Sequence, residues 1–284
     1  MVKYIPSSLD DALKFLAEHD AYICAGGTDL MVLKRNIAGH LPKFDKDVIY
    51  VSNLKEISKI YEDDKYVHIG ATATLDEIYN NKLTPELLKK AIGEVASVNI
   101  RHFATLAGNI ANASPAGDTI VIDYLLDAEL KLQSVKGERT VKAKDFVLGI
   151  RKIDRRKDEL ITEILFPKTS YDFGMWYKVG SRKADSISKV SVAGIYSIQG
   201  GKVSKFALAY GSSAITVRRS EALEKEIIGL SQKELVNRIE EFVEKYSQTI
   251  SPIDDQRSTK DYRLLVAKNI TRKFLKEVVE AKHE

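Results

Sequence analysis

Two stretches of this 284-residue chain carry residue types suited to holding an anion. Ala25-Gly26-Gly27-Thr28-Asp29-Leu30 follows the apolar run Ala21-Tyr22-Ile23-Cys24. A glycine pair at that place permits positive φ and lets backbone amides approach an anion with no Cβ in the way. The same pair also makes a tight turn at a strand exit, and the residues alone leave both readings open. The stretch is no Walker loop, because no Gly-Lys-Ser/Thr follows, and its glycines lack the spacing of the dinucleotide fingerprint of doubly wound folds. The second stretch, Thr105-Leu106-Ala107-Gly108-Asn109-Ile110-Ala111-Asn112-Ala113-Ser114-Pro115-Ala116-Gly117-Asp118, is rich in small residues, hydroxyls and amides and nearly free of charge. A solvated loop has a different composition. The segment either walls a large polar ligand or forms a buried crossover.

Other reactive residue types are sparse. The histidines His19, His40, His68, His102 and His283 show no paired ligand spacing, so surface or hydrogen-bonded roles are expected and no metal site. The single cysteine, Cys24, cannot form an internal disulfide, hold an iron–sulfur cluster or build a zinc ribbon, and is expected to be a small buried apolar residue. The basic run Arg151-Lys152-Ile153-Asp154-Arg155-Arg156-Lys157 reads as a solvated loop rather than a docking patch. Net charge is +4 with both signs interspersed, which is no footprint for nucleic acid. No apolar run approaches the roughly 18 residues of a membrane span, and the first residues lack the apolar core of a signal peptide, so a cytoplasmic location is expected.

The elements that must position these stretches are legible from periodicity. Residues 8–18 read as a helix opened by Ser8 with Asp11, and 21–25 and 48–51 as strands. Residues 66–70 form a further strand, Thr74 with Glu77 is a capping box, and Pro85 stands at the start of a helix carrying Leu87, Leu88, Ala91, Ile92 and Val95. Strands follow at 130–133, 160–166, 190–198 and 203–210, the last two joined by a Gly200-Gly201 turn. Ser231 with Glu234 opens a helix through Tyr246, and a last helix runs from Leu264 to Val279. The class is α+β, with a domain boundary between Pro167 and Phe173 and no internal repeat.

Together, Ala25 to Leu30 and Arg101-His102-Phe103-Ala104 through Asp118 resemble the FAD-binding subunit of the molybdenum hydroxylases. These are the medium chain of carbon monoxide dehydrogenases and the flavin subunit or domain of xanthine dehydrogenases. The likeness runs from Tyr4-Ile5-Pro6-Ser7-Ser8-Leu9-Asp10-Asp11-Ala12-Leu13 to Asp255-Gln256-Arg257-Ser258-Thr259-Lys260-Asp261-Tyr262-Arg263. It implies a two-part FAD-binding domain of the PCMH (vanillyl-alcohol oxidase-like) type over 1–168, with subdomains at about 1–52 and 53–168. A smaller C-terminal domain of the CO dehydrogenase flavoprotein type, an antiparallel sheet with helices, is implied over 169–284.

The resemblance further implies noncovalent FAD. Its pyrophosphate is expected on the amides of Gly26, Gly27, Thr28, Asp29 and Leu30, with Ile23, Cys24 and Ala25 leading into that loop, and on Thr105, Gly108 and Asn109. Asp118 matches a family acid at the far side of the cofactor, Ile161 an apolar residue beside the adenine, and Lys178 a lysine of the second domain that approaches the cofactor. Trp176 and Tyr177 either touch the flavin ring or, as aromatics at a domain start more often do, join the core. Ala107 stands where the family has glycine; its methyl either fits at negative φ or displaces the pyrophosphate. No catalytic side chain is expected. A small partner chain with [2Fe–2S] clusters, a large partner chain with a molybdenum cofactor and an acceptor such as NAD complete the picture. The alternative is a free-standing FAD-dependent oxidase or reductase on the same type of domain.

Overall fold

Capping chemistry sets many of the element boundaries. Ser8 Oγ accepts from the Asp11 amide at 3.1 Å, Thr74 and Glu77 cap one another, and so do Ser231 and Glu234. The computed structural model describes residues 2–281; the His283 expectation lies outside them. In chain order the elements are β1 (Lys3–Tyr4), α1 (Leu9–Glu18), β2 (Ala21–Cys24), α2 (Leu30–Leu33), β3 (Asp47–Tyr50), β4 (Ile60–Glu62), β5 (Tyr66–Gly70), α3 (Leu75–Asn80), α4 (Glu86–Gly93), α5 (Val98–Arg101), α6 (Leu106–Asn112) and α7 (Asp118–Leu125). There follow β6 (Glu129–Ser134), β7 (Gly137–Lys142), α8 (Ala143–Phe146), β8 (Val147–Gly149), β9 (Lys152–Ile153), β10 (Leu160–Pro167), β11 (Phe173–Val179), β12 (Val190–Gln199), β13 (Lys202–Gly211), β14 (Arg218–Arg219), α9 (Glu221–Ile227), α10 (Gln232–Ser247) and α11 (Lys260–Glu280).

The chain divides into two units, and the division does not follow the sequence linearly. The first comprises the residues up to Pro85, Ala96–Ala113 and Asp127–Lys168; the second comprises Glu86–Val95, Ser114–Leu126 and the residues from Thr169 onward. In the first unit β3 pairs in parallel with both β1 and β2, in the order β1-β3-β2, and its Val48 and Ile49 are fully buried. Its second sheet is antiparallel, in the order β4-β5-β10-β6-β7, with α6 packed on the central strand β10.

In the second unit the antiparallel sheet β11-β12-β13-β14 carries α7, α9 and α11. The hairpin from β12 to β13 turns on Gly200 and Gly201, at φ +58° and +73°, which suits a turn requiring two left-handed residues. Its core joins Phe206, Tyr210, Phe242, Tyr246 and Phe274. A Cβ on Gly194 of β12 would sit 2.5 Å from Phe274 Cε1, so glycine is what lets α11 settle on the strand. All eight residues of α7 are buried, Asp118 and Asp123 among them. Among the described residues no helix is long and apolar enough to cross a membrane.

Candidate cofactor-binding site

The glycine loop is shaped first by its neighbour in the chain fold. β2 ends at Cys24, Gly27 turns at φ +69°, and its carbonyl accepts from the Met31 amide at 2.9 Å to start α2. A Cβ on Gly26 would lie 1.8 Å from the Phe103 carbonyl oxygen and 2.4 Å from its carbon. The backbone of the second motif therefore crosses the glycine loop at a distance only glycine tolerates. The loop is a tight strand-exit turn, and it keeps its amides open. Among the described residues the amides of Gly26, Gly27, Thr28 and Asp29 donate to no acceptor, although all four residues are half-buried.

The second motif is a short helix rather than a loop. Thr105 caps α6, its Oγ1 accepting from the Gly108 amide at 3.0 Å, and the first intrahelical bond runs from the Asn109 amide to the Thr105 carbonyl. The amides of Leu106 and Ala107 precede that bond and lie at the positive end of the helix. Upstream, Ala104 is tied to α3, its carbonyl accepting from the Leu75 amide at 2.7 Å, and Thr105 bridges to Thr74. Ala107 is buried and helical, with no positive φ, so its methyl fits without backbone strain. Gly108 is helical too, and a Cβ there would meet only Thr105 Oγ1, at 2.9 Å.

Arg151, from the basic run, ties these motifs to each other. Its Nη1 donates to Asn112 Oδ1 at 2.9 Å and to Asp29 Oδ2 at 3.3 Å, and its amide donates to the Ala113 carbonyl at 3.1 Å. Reading 151–157 as a solvated loop misses this. It also misses Arg155, whose Nη1 donates to the carbonyls of Arg156, Lys157 and Glu159 and so pins its own turn. No local signal in the run distinguishes Arg151 from a solvated arginine, because its side-chain partners Asp29 and Asn112 lie on distant segments.

Ile161 sits buried on β10 opposite Leu132, in the strand on which α6 packs. Cys24 is buried and free, and desolvation raises its thiol pKa, as a small apolar residue requires. In the second unit Asp118, the first residue of α7, pairs with Lys178 Nζ at 2.7 Å and accepts from Ser188 Oγ at 2.5 Å. Lys178 Nζ also donates to the Glu94 carbonyl at 2.6 Å. Burial pushes the Asp118 carboxyl above its ordinary range, outweighing the pull of Lys178 and Ser188. These two predicted residues hold each other in a desolvated cluster. Trp176 lies on the same strand and donates to Glu94 Oε2 at 2.9 Å, while Tyr177 is exposed under Lys273, so neither aromatic joins the core.

The cradle suits a diphosphate: adjacent open amides on a glycine turn, a helix start beside it, and small residues throughout. Residues 2–169 match the model of the FAD binding domain in molybdopterin dehydrogenase, and residues 175–278 that of the CO dehydrogenase flavoprotein C-terminal domain. The chain belongs to this family. Such FAD-binding subunits of molybdenum hydroxylase complexes are oxidoreductase flavoproteins, and this chain is one. It is 31% identical over 276 residues to the glyceraldehyde dehydrogenase medium chain of Sulfolobus acidocaldarius, covering 95% of each. With the xanthine dehydrogenase FAD-binding subunit of Escherichia coli O157:H7 it shares 27% over 284 residues, 97% of this chain and 94% of the other. Its fold is that of a chain of the cyanide-inactivated Cu,Mo-CO dehydrogenase, with a TM-score of 0.87 at 22% identity, over 98% of this chain and 97% of that one.

Proposed function

We propose that this flavoprotein is the electron-transfer subunit of its complex, receiving electrons from [2Fe–2S] clusters on a small partner chain. A large partner chain would carry the molybdenum cofactor and oxidise the organic substrate. FAD, when bound, supplies a carrier that takes electrons singly and returns them in pairs to an acceptor such as NAD. The chain's own part is to hold it. The open amides of Gly26, Gly27, Thr28 and Asp29, with Leu30 and with Thr105, Gly108 and Asn109 of the second motif, grip the pyrophosphate; Ile23, Cys24 and Ala25 bring the first loop to it. Asp118, Ile161 and Lys178 are assigned to the same site by resemblance, Lys178 and Asp118 acting as a pair. Residues 1–168 form the FAD-binding domain, with subdomains at about 1–52 and 53–168, and 169–284 the C-terminal domain. The complex works in the cytoplasm.

The crossing of the two motifs at Gly26 carries this reading, since it brings open amides and a helix start together. The medium-chain and FAD-subunit relatives favour it over a free-standing oxidase or reductase. The test is flavin content: the purified chain, refolded with FAD, should retain one FAD, release it on acid precipitation and fail to retain FMN, which lacks the pyrophosphate. Absence of flavin absorbance, or flavin that stays with the acid pellet, refutes it.

A further inference from the structure

We infer that Arg151 is a positioning residue of the cofactor site, joining the two motifs and neutralising Asp29; this rests on the placement of the pyrophosphate proposed above. Asp29 occupies the N-cap position of α2 but makes no side-chain cap bond, and its carboxylate turns to Arg151 instead. That carboxylate belongs to the very loop whose amides are open. Left alone, it would set a negative charge beside a bound diphosphate, and Coulomb repulsion at that range opposes binding. The guanidinium cancels it.

The attachment is over-determined. Arg151 holds Asn112, the last residue of α6, through its side chain and Ala113 through its amide. Arg151 and Ala113 both adopt left-handed backbone, at φ +54° and +46°. Left-handed conformations at non-glycine residues persist where surroundings fix them, and they gather at binding sites. The Arg151–Asp29 pair is about half exposed, at 47% and 48% of side-chain surface, so its contribution to stability is small and its value lies in geometry and charge.

The test measures FAD and ADP affinity of the full chain by equilibrium dialysis. Arg151→Asn is the variant of choice because asparagine tolerates left-handed backbone. Both affinities should fall about fivefold, the upper scale for a half-exposed charge pair, and the deficit should shrink as salt is raised. Asp29→Asn in the Arg151→Asn background should recover part of the loss, a rescue that a purely structural link would not give. Arg151→Lys, which keeps the charge, should bind better than Arg151→Asn. A wild-type chain that binds neither FAD nor ADP overturns the site and this inference with it. If wild type binds and Arg151→Asn binds within twofold of it, the inference alone falls. A double variant weaker than Arg151→Asn, or a lysine variant no better than asparagine, overturns the neutralising role.

Discussion

Replacing Gly26 by alanine places a methyl where the second motif's backbone runs. The new Cβ would start 1.8 Å from the Phe103 oxygen, and real Cβ contacts essentially never fall below 3.0 Å, so the segments must part by at least 3.0 − 1.8 = 1.2 Å. Neither side can yield as a side chain would. Phe103 precedes Ala104, whose carbonyl holds the Leu75 amide at 2.7 Å, and Thr105, which caps α6. Overpacking of this kind costs about 3 kcal/mol, the upper end of the usual range, because both contacting groups are main chain. For a domain of this size that lowers Tm by roughly 6–12 °C. Circular dichroism melts of the purified chain give the Tm, and absorbance gives flavin per chain. Gly26→Ala should lose both stability and flavin. A variant melting within about 2 °C of wild type with full flavin would show that the motifs do not cross as described.

Gly108→Ala meets only a side-chain oxygen and gains helix propensity, so stability should shift by less than about 1 kcal/mol in urea unfolding while FAD affinity drops; unchanged affinity would free that glycine of a ligand role. Asp118→Asn strands a buried lysine and should cost about 3 kcal/mol, most of it regained in the apolar double variant Asp118→Leu, Lys178→Met. Asp123 is fully buried, its two oxygens meet no partner among the described residues, and desolvation alone raises its pKa well above the ordinary carboxylate value. The folded state then keeps a proton that the unfolded chain sheds, so stability should fall as pH rises above about 4, at up to about 1.4 kcal/mol per pH unit. Asp123→Asn should flatten that slope in urea titrations from pH 5 to 8; an identical slope would mean the carboxyl ionises freely.

What the sequence disclosed is what local physics encodes. Ser8, Thr74 and Ser231 begin helices because their caps are satisfied within three residues, and 66–70 is a strand as read. The family and the α+β class were equally legible. The segment from Thr105 was not seen as a helix because its small residues carry no amphipathic stripe, although Thr105 is a good N-cap. α7 escaped notice for the opposite reason, being buried on every side. Gly26 reads as a residue that admits a ligand, yet its missing Cβ faces Phe103, a partner that no window of sequence reveals. Arg151 and Lys178 make the same point: their roles are set by Asp29, Asn112, Asp118 and Glu94, each distant along the chain.

Amide hydrogen exchange of the full chain, with and without FAD, addresses the cradle directly. The amides of Gly26, Gly27, Thr28 and Asp29 have no acceptor among the described residues, and those of Leu106 and Ala107 precede the first intrahelical bond of α6. FAD binding should slow exchange at these positions, since each gains a phosphate oxygen as acceptor, and ADP should reproduce the protection where FMN does not. Stoichiometric FAD binding that leaves these amides exchanging at their free rate, with protection confined to other segments, would contradict the account.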